Sequence, residues 1–167
     1  KGKKKEVFAV VGYYVDKEDT PMYSKEYLPT LIHEFNHSFI NHYLDEDKYP
    51  AHVKELEPAA TDLFKSAQWS MSRQAYNNWK TMVNESLVRA AVICYMLDKA
   101  YKPEEIRNEL LEQMQRNFRW MPELVSLLRK YEKEQAKYGN FENFYPSVTD
   151  FFKGYAQKEN ERFDAIK

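Results

Sequence analysis

Several residue types are scarce in this chain, and each shortage excludes a class of protein. The 167 residues include one cysteine, Cys94, which rules out an intramolecular disulfide and a cysteine-rich zinc site. Four glycines are too few for a fold built from many tight hairpins, so helices are favoured. A net charge of −1 argues against nucleic acid as a partner. No apolar run approaches the ~20 residues that span a bilayer, so we expect no transmembrane segment.

The remaining composition is that of an ordinary globular protein with many aromatic side chains. Hydrophobic residues make up 43% of the chain, charged residues 31% and aromatic residues 16%. We therefore interpret residues 1–167 as a single, mostly helical domain. The chain begins at Lys1 rather than at a methionine, so we expect its N-terminal part to be truncated.

Residue patterns divide the chain into one strand and several helices. The β-branched and aromatic run Glu6–Val15 predicts a strand, and the stretch Met82–Leu97 is apolar enough to be central and buried. The aromatic segment Phe141–Pro146 is predicted to be a loop. The predicted helices are Ser24–Tyr43, Pro58–Gln68, a long one within Ser72–Ala100, one that starts near Pro103, one from Pro122 to about Tyr138, and one over roughly Ser147–Phe163.

The segment His33-Glu34-Phe35-Asn36-His37 fits the pattern H-E-x-x-H on a predicted helix. Residues four apart share a helix face, so both imidazoles can bind one metal ion while Glu34 lies beside it. This arrangement suits zinc hydrolysis, in which the histidines hold Zn²⁺ and the glutamate accepts a proton from the zinc-bound water. The alternative is that the two histidines are placed by accident or serve in packing.

A catalytic zinc site needs a third protein ligand and one open position. Ile40 and Tyr43 stand where a longer version of the motif requires glycine and histidine, so that version is excluded. Glu85 is the better candidate, because a carboxylate in so apolar a helix requires a compensating cation. Zinc would be one such cation, and Arg89, four residues on, is the rival or additional partner.

Asn84-Glu85 downstream of the H-E-x-x-H segment resembles the gluzincin metallopeptidases. The segment Leu31–Phe39 is most similar to a poorly characterised bacterial family of predicted exported zincins. The resemblance implies an α+β, predominantly helical, zincin-like fold with a small N-terminal sheet. It also implies one Zn²⁺ ion held by His33, His37 and Glu85, with Glu34 as the general base.

The same resemblance implies an extracellular, periplasmic or cell-envelope location and a peptide or protein substrate. In one respect the chain departs from the gluzincin pattern, because Val88-Arg89 occupy the positions of a Ser-Asp pair. The carboxylate that would orient a ligand histidine is therefore missing from that position.

Hydrolysis of a peptide also needs a donor to the developing oxyanion. Tyr145, His52 and Arg89 are the candidates, and we select Tyr145 because a phenol stays protonated at neutral pH. His42 lies about 140° around the helix from His37 and should miss the metal. The sequence thus predicts a zinc-dependent peptidase. Two alternatives stay open: a catalytically inactive, zinc-stabilised binding module and a helical interaction protein without metal.

Overall fold

The computed structural model describes residues 12, 14–22 and 24–166. Seven α-helices dominate this part of the chain, which confirms the predominantly helical prediction. Two 3₁₀ turns, Lys25–Tyr27 and Asn41–Leu44, flank the first helix. The helices are α1 (Leu28–Ile40), α2 (Pro50–Arg73), α3 (Trp79–Asp98), α4 (Pro103–Gln115), α5 (Met121–Lys133), α6 (Gln135–Tyr138) and α7 (Phe141–Asp164).

A small hairpin precedes the helices. Strands β1 (Tyr14–Val15) and β2 (Pro21–Met22) pair antiparallel. The turn between them is closed by Asp16, whose carboxylate accepts hydrogen bonds from the backbone of Glu18 and Thr20 at 2.8 and 3.0 Å. The predicted strand Glu6–Val15 is thus seen only at its end, because residues 6–11 and Tyr13 lie outside the described residues.

Helix α3 is the centre of the fold and contacts α1, α2, α4 and α5. Most of its side chains are buried, which confirms the prediction made for Met82–Leu97. Helices α2 and α7 pack against each other beside it, and their contacts are the most extensive between any two helices of the described chain. Because α3 is fixed on several sides, a residue on it provides a rigid anchor for a functional site.

Several predicted helices have different bounds in the structure. Helix α2 begins at Pro50 instead of Pro58, because proline is well tolerated in a first helical turn. The long helix predicted within Ser72–Ala100 is α3, which begins only at Trp79, because the chain turns after Arg73, where Ala75 has a left-handed backbone with φ of 65°. After the break, Asn78 caps α3 by accepting a hydrogen bond from the backbone of Thr81 at 2.8 Å.

The prediction of a loop over Phe141–Pro146 is wrong, since these residues form the start of α7. Asn140 caps this helix through a hydrogen bond from the backbone of Asn143 at 3.0 Å. Phe144 and Tyr145 are fully buried, and their packing stabilises the turn that contains Pro146.

Within the described ranges, no helix combines the length and apolar character needed to cross a membrane.

Candidate metal centre

Helices α1 and α3 bring the three predicted ligands together. His33 and His37 lie one turn apart on α1, and Glu85 faces them from the second turn of α3. The two Nε2 atoms of the histidines are 3.2 Å apart. Glu85 Oε1 is 3.3 Å from His37 Nε2, and Glu85 Oε2 is 3.6 Å from His33 Nε2. The two histidines and the Glu85 carboxylate therefore form one cluster, in which a possible ligand atom from each residue lies within 4.8 Å of the others.

These separations match the geometry of a tetrahedral zinc site. With zinc–ligand bonds of about 2.0–2.2 Å, two ligand atoms at a tetrahedral angle lie about 3.3–3.6 Å apart. The distance between the two Nε2 atoms, 3.2 Å, and the distance from His37 Nε2 to Glu85 Oε1, 3.3 Å, lie at or close to that range. The other oxygen, Oε2, lies 3.6 Å from His33 Nε2. Two imidazoles and one carboxylate are also a donor set that zinc accepts. The three residues thus fit a metal ion such as zinc.

A hydrogen bond on the far side of His37 prepares its ring for metal binding. Nδ1 lies 3.1 Å from Asn41 Oδ1, and an amide oxygen only accepts hydrogen bonds. Nδ1 therefore carries the proton, and the lone pair of a neutral His37 is on Nε2, the atom that faces Glu85. Such a partner behind a ligand histidine is typical of metal sites.

Burial and neighbouring charges shift the pKa values of His33, His37 and Glu85 in different directions. Burial lowers the pKa of His33, which favours the neutral form that a metal requires. The hydrogen bond to Glu85 raises the pKa of His37 above its usual value. Burial alone would raise the pKa of Glu85, but the hydrogen bond from His37 and the charge of Arg89 outweigh it and hold that pKa low. Glu85 is therefore a carboxylate at neutral pH.

Arg89 forms an ion pair with Glu85, as the sequence suggested. This ion pair lies beside the cluster of candidate ligands. Arg89 Nη2 lies 3.2 Å from Glu85 Oε2 and donates to the hydroxyl of Tyr76 at 2.6 Å. Tyr76 in turn donates to Glu85 Oε2 at 3.1 Å. Arg89 Nη1 donates to the side chain of Gln113 at 2.9 Å. The Glu85 carboxylate thus lies between the two histidines of α1 and a buried polar network that includes Arg89 and Tyr76.

Glu34, the predicted general base, lies on α1 between the two histidines, and its side chain is exposed. Its negative charge acts on both histidines. A cavity of about 310 Å³ opens beside His33 and Arg89, with α4 forming its other wall. The cavity thus reaches the centre at His33, whereas His37, Glu85 and Glu34 do not line it.

The structure does not bring Tyr145 or His52 to this centre. Tyr145 is fully buried in α7, where its ring stacks on those of Tyr43 and His52 at 5.2 and 4.8 Å. A side chain without exposure cannot touch a substrate, so the selection of Tyr145 as oxyanion donor does not fit the structure. His52 lies in α2. His42 lies against Tyr43, with 4.1 Å between the ring centroids, and is not part of the ligand cluster.

Comparison with known proteins places most of the chain in one family. Residues 22–151 match the family described as Domain of unknown function (DUF4932). The chain belongs to this family. No curated protein and no solved structure matches the chain.

The DUF4932 match covers the whole of the candidate centre, including two residues that sequence reasoning missed. Tyr76 lies in the turn before α3, and Gln113 lies on α4, 24 positions beyond its partner Arg89. No short-range pattern links either residue to the H-E-x-x-H segment. The only available signal was the charge of Arg89 inside an apolar helix, which required buried partners.

Proposed function

We propose that this DUF4932 protein is a zinc-dependent peptidase with a zincin-like arrangement of its active-site helices. The observation that supports this most strongly is the cluster of His33, His37 and Glu85, in which one possible ligand atom from each residue lies within 4.8 Å of the others. The resemblance of the same residues to the gluzincin metallopeptidases points to the same chemistry. An exported or cell-envelope location is part of this proposal and rests on that resemblance.

Each residue has a definite task in this reaction. His33, His37 and Glu85 would hold Zn²⁺, which polarises a carbonyl group and makes water acidic enough to lose a proton near neutral pH. Glu34 accepts that proton and passes it to the leaving amine. Asn41 fixes the ring of His37, and the helix pair α1–α3 holds the donors in place.

The substrate is a peptide or protein whose chain passes the exposed side of α1 near Glu34. The cavity of about 310 Å³ beside His33 has room for a substrate side chain next to the scissile bond. Its lining combines the apolar surfaces of Pro29 and Val92 with the charged side chains of Glu109 and Arg116.

The experiment combines zinc content with cleavage of a denatured protein mixture. We expect one zinc per chain after reconstitution, and cleavage that stops when a chelator removes the metal and returns when zinc is restored. Glu34→Gln should keep the zinc and lower the rate by about 10²–10⁴, because the general base is lost while all three ligands remain. The exposed Glu57→Gln on α2 is a matched control and should keep the parental rate.

The results also separate this function from its alternatives. Zinc without chelator-sensitive cleavage would favour a zinc-stabilised binding module. A chain that takes up no zinc would favour a helical interaction protein. Full activity in Glu34→Gln would contradict the proposed mechanism even if zinc is present.

A further inference from the structure

The two oxygens of Glu85 have different surroundings. Oε1 faces His37 Nε2 at 3.3 Å. Oε2 meets two donors, Arg89 Nη2 at 3.2 Å and the Tyr76 hydroxyl at 3.1 Å. Oε2 also lies only 3.6 Å from His33 Nε2, so it is close enough to the donor cluster to bind a metal as well. A carboxylate placed in this way can give a metal one oxygen or both.

Arg89 is held firmly in the position from which it reaches Oε2. Its side chain is about nine-tenths buried. Nη1 donates to Gln113 at 2.9 Å, and Gln113 is itself anchored by a hydrogen bond to Glu109 at 2.6 Å. The guanidinium also lies over the ring of Phe118, with 5.2 Å between Cζ and the ring centroid. An arginine fixed by several partners cannot turn away when a metal arrives.

We infer that Arg89 and Tyr76 are positioning residues that reserve Oε2 of Glu85, so that the carboxylate gives a metal only Oε1. This inference rests on the metal site of the proposed function and is independent of peptide hydrolysis. Its consequence is a four-coordinate metal with water as the fourth ligand, because a carboxylate that binds through both oxygens would add a fifth ligand atom and crowd the position that catalysis needs.

The charge of Arg89 gives the inference a second consequence, a change in zinc affinity. The direction of that change distinguishes the inferred role from a purely structural one. Arg89 competes with the metal for the Glu85 carboxylate, and its positive charge repels the cation. Loss of Arg89 should therefore tighten zinc binding. Loss of a residue that merely supports the fold would weaken zinc binding, because the donors would no longer be held together.

The test uses the full chain with Arg89→Met, Tyr76→Phe and the matched control Arg116→Met. Arg116 lines the same cavity but pairs with Glu112 on its own side of that cavity instead of with Glu85. Zinc affinity is measured by competition with a chromophoric chelator. Cobalt is then substituted for zinc, because the visible absorption of Co²⁺ is intense at four-coordinate sites and weaker at five-coordinate ones. Circular dichroism of each metal-free variant reports folding.

We expect the parent and Arg116→Met to give the intense four-coordinate cobalt spectrum. Arg89→Met should give the weaker five-coordinate spectrum and bind zinc about tenfold more tightly or better. Tyr76→Phe removes one hydroxyl and should move the spectrum in the same direction with a smaller change in affinity. If Arg89→Met loses helix content without metal, Tyr76→Phe and the double variant of Tyr76→Phe with Arg89→Lys provide the test.

Parental cobalt spectra in these folded variants would overturn the inference, and so would weaker zinc binding by a folded Arg89→Met. A parent chain that binds no metal would overturn both this inference and the proposed function. A parent chain that binds metal without cleaving peptides would overturn the proposed function alone, and the cobalt spectra would still decide the inference.

Discussion

The role of Glu85 can be tested by replacing it with glutamine, which keeps the shape of the side chain and removes its charge. Glu85 is 8% exposed, and its partner Arg89 is 9% exposed. Removal of one partner from a buried ion pair costs about 3–5 kcal/mol. We expect the low end of this range, about 3 kcal/mol, because the amide oxygen still accepts a hydrogen bond from Tyr76. For a chain of this size the melting temperature should fall by about 6–12 °C without metal.

Zinc changes the comparison, because a ligand that binds only the folded chain stabilises it. At a zinc concentration 100-fold above the dissociation constant, the parent should gain about 2.7 kcal/mol. This corresponds to a rise in melting temperature of about 5–11 °C. Glu85→Gln should lose most of that rise, since a neutral amide is a much poorer zinc ligand than a carboxylate.

Glu159 supplies the matched control for this experiment. It is also a buried acid, 7% exposed, and it pairs with Arg119 at 3.0 Å, but it lies on α7 outside the candidate centre. Glu159→Gln should lower the melting temperature of the metal-free chain and keep the full rise with zinc. Differential scanning calorimetry with zinc and with a chelator measures both effects. An equal rise with zinc in Glu85→Gln and in the parent would show that Glu85 is not a ligand.

Three further outcomes follow from buried or titrating side chains. Tyr145→Phe should leave the turnover rate within about twofold of the parent and should not lower the melting temperature, because the Tyr145 hydroxyl is buried without a partner among the described residues. A turnover rate lowered by roughly two to three orders of magnitude would instead indicate that Tyr145 is the oxyanion donor. Burial raises the pKa of the Cys94 thiol to about 12, so a thiol reagent at pH 8 should label the folded chain very slowly, and rapid labelling would contradict the packing around α3. In the metal-free chain, the raised pKa of His37 adds stability that is present below its ordinary value of 6.5 and is lost as the pH rises through the raised pKa. His37→Gln should remove that contribution in pH-dependent urea unfolding, and an unchanged pH profile would refute it.

The short-range features of this protein could be predicted from its sequence. The four-residue spacing of His33 and His37 fixes their common face on a helix, and an apolar stretch around Glu85 places that residue in the interior. Together these features predicted which side chains meet across α1 and α3. The long-range partners of Arg89 could not be predicted in this way, because they depend on how α4 and the turn before α3 pack against it.

Two of the errors in helix bounds have the same physical cause. Proline was treated as a boundary or loop signal at Pro58 and Pro146, yet both residues lie inside long helices. At Pro146 the buried aromatic residues Phe144 and Tyr145 outweigh the loss of a backbone hydrogen bond. This error mattered for the site, because a residue in a loop can be exposed to a substrate, whereas Tyr145 in α7 is buried.

Helix α1 carries two of the three candidate ligands, yet Ile40 is its only buried residue. A metal would therefore join a helix with little buried surface of its own to the central one, across the 48 positions that separate His37 from Glu85. Without metal, we expect α1 to detach more readily than the rest of the fold and to expose the segment at residues 41–49 to proteases. The supply of zinc would then set the lifetime of the protein in its compartment, and a chain that never received its ion would be removed before it could accumulate.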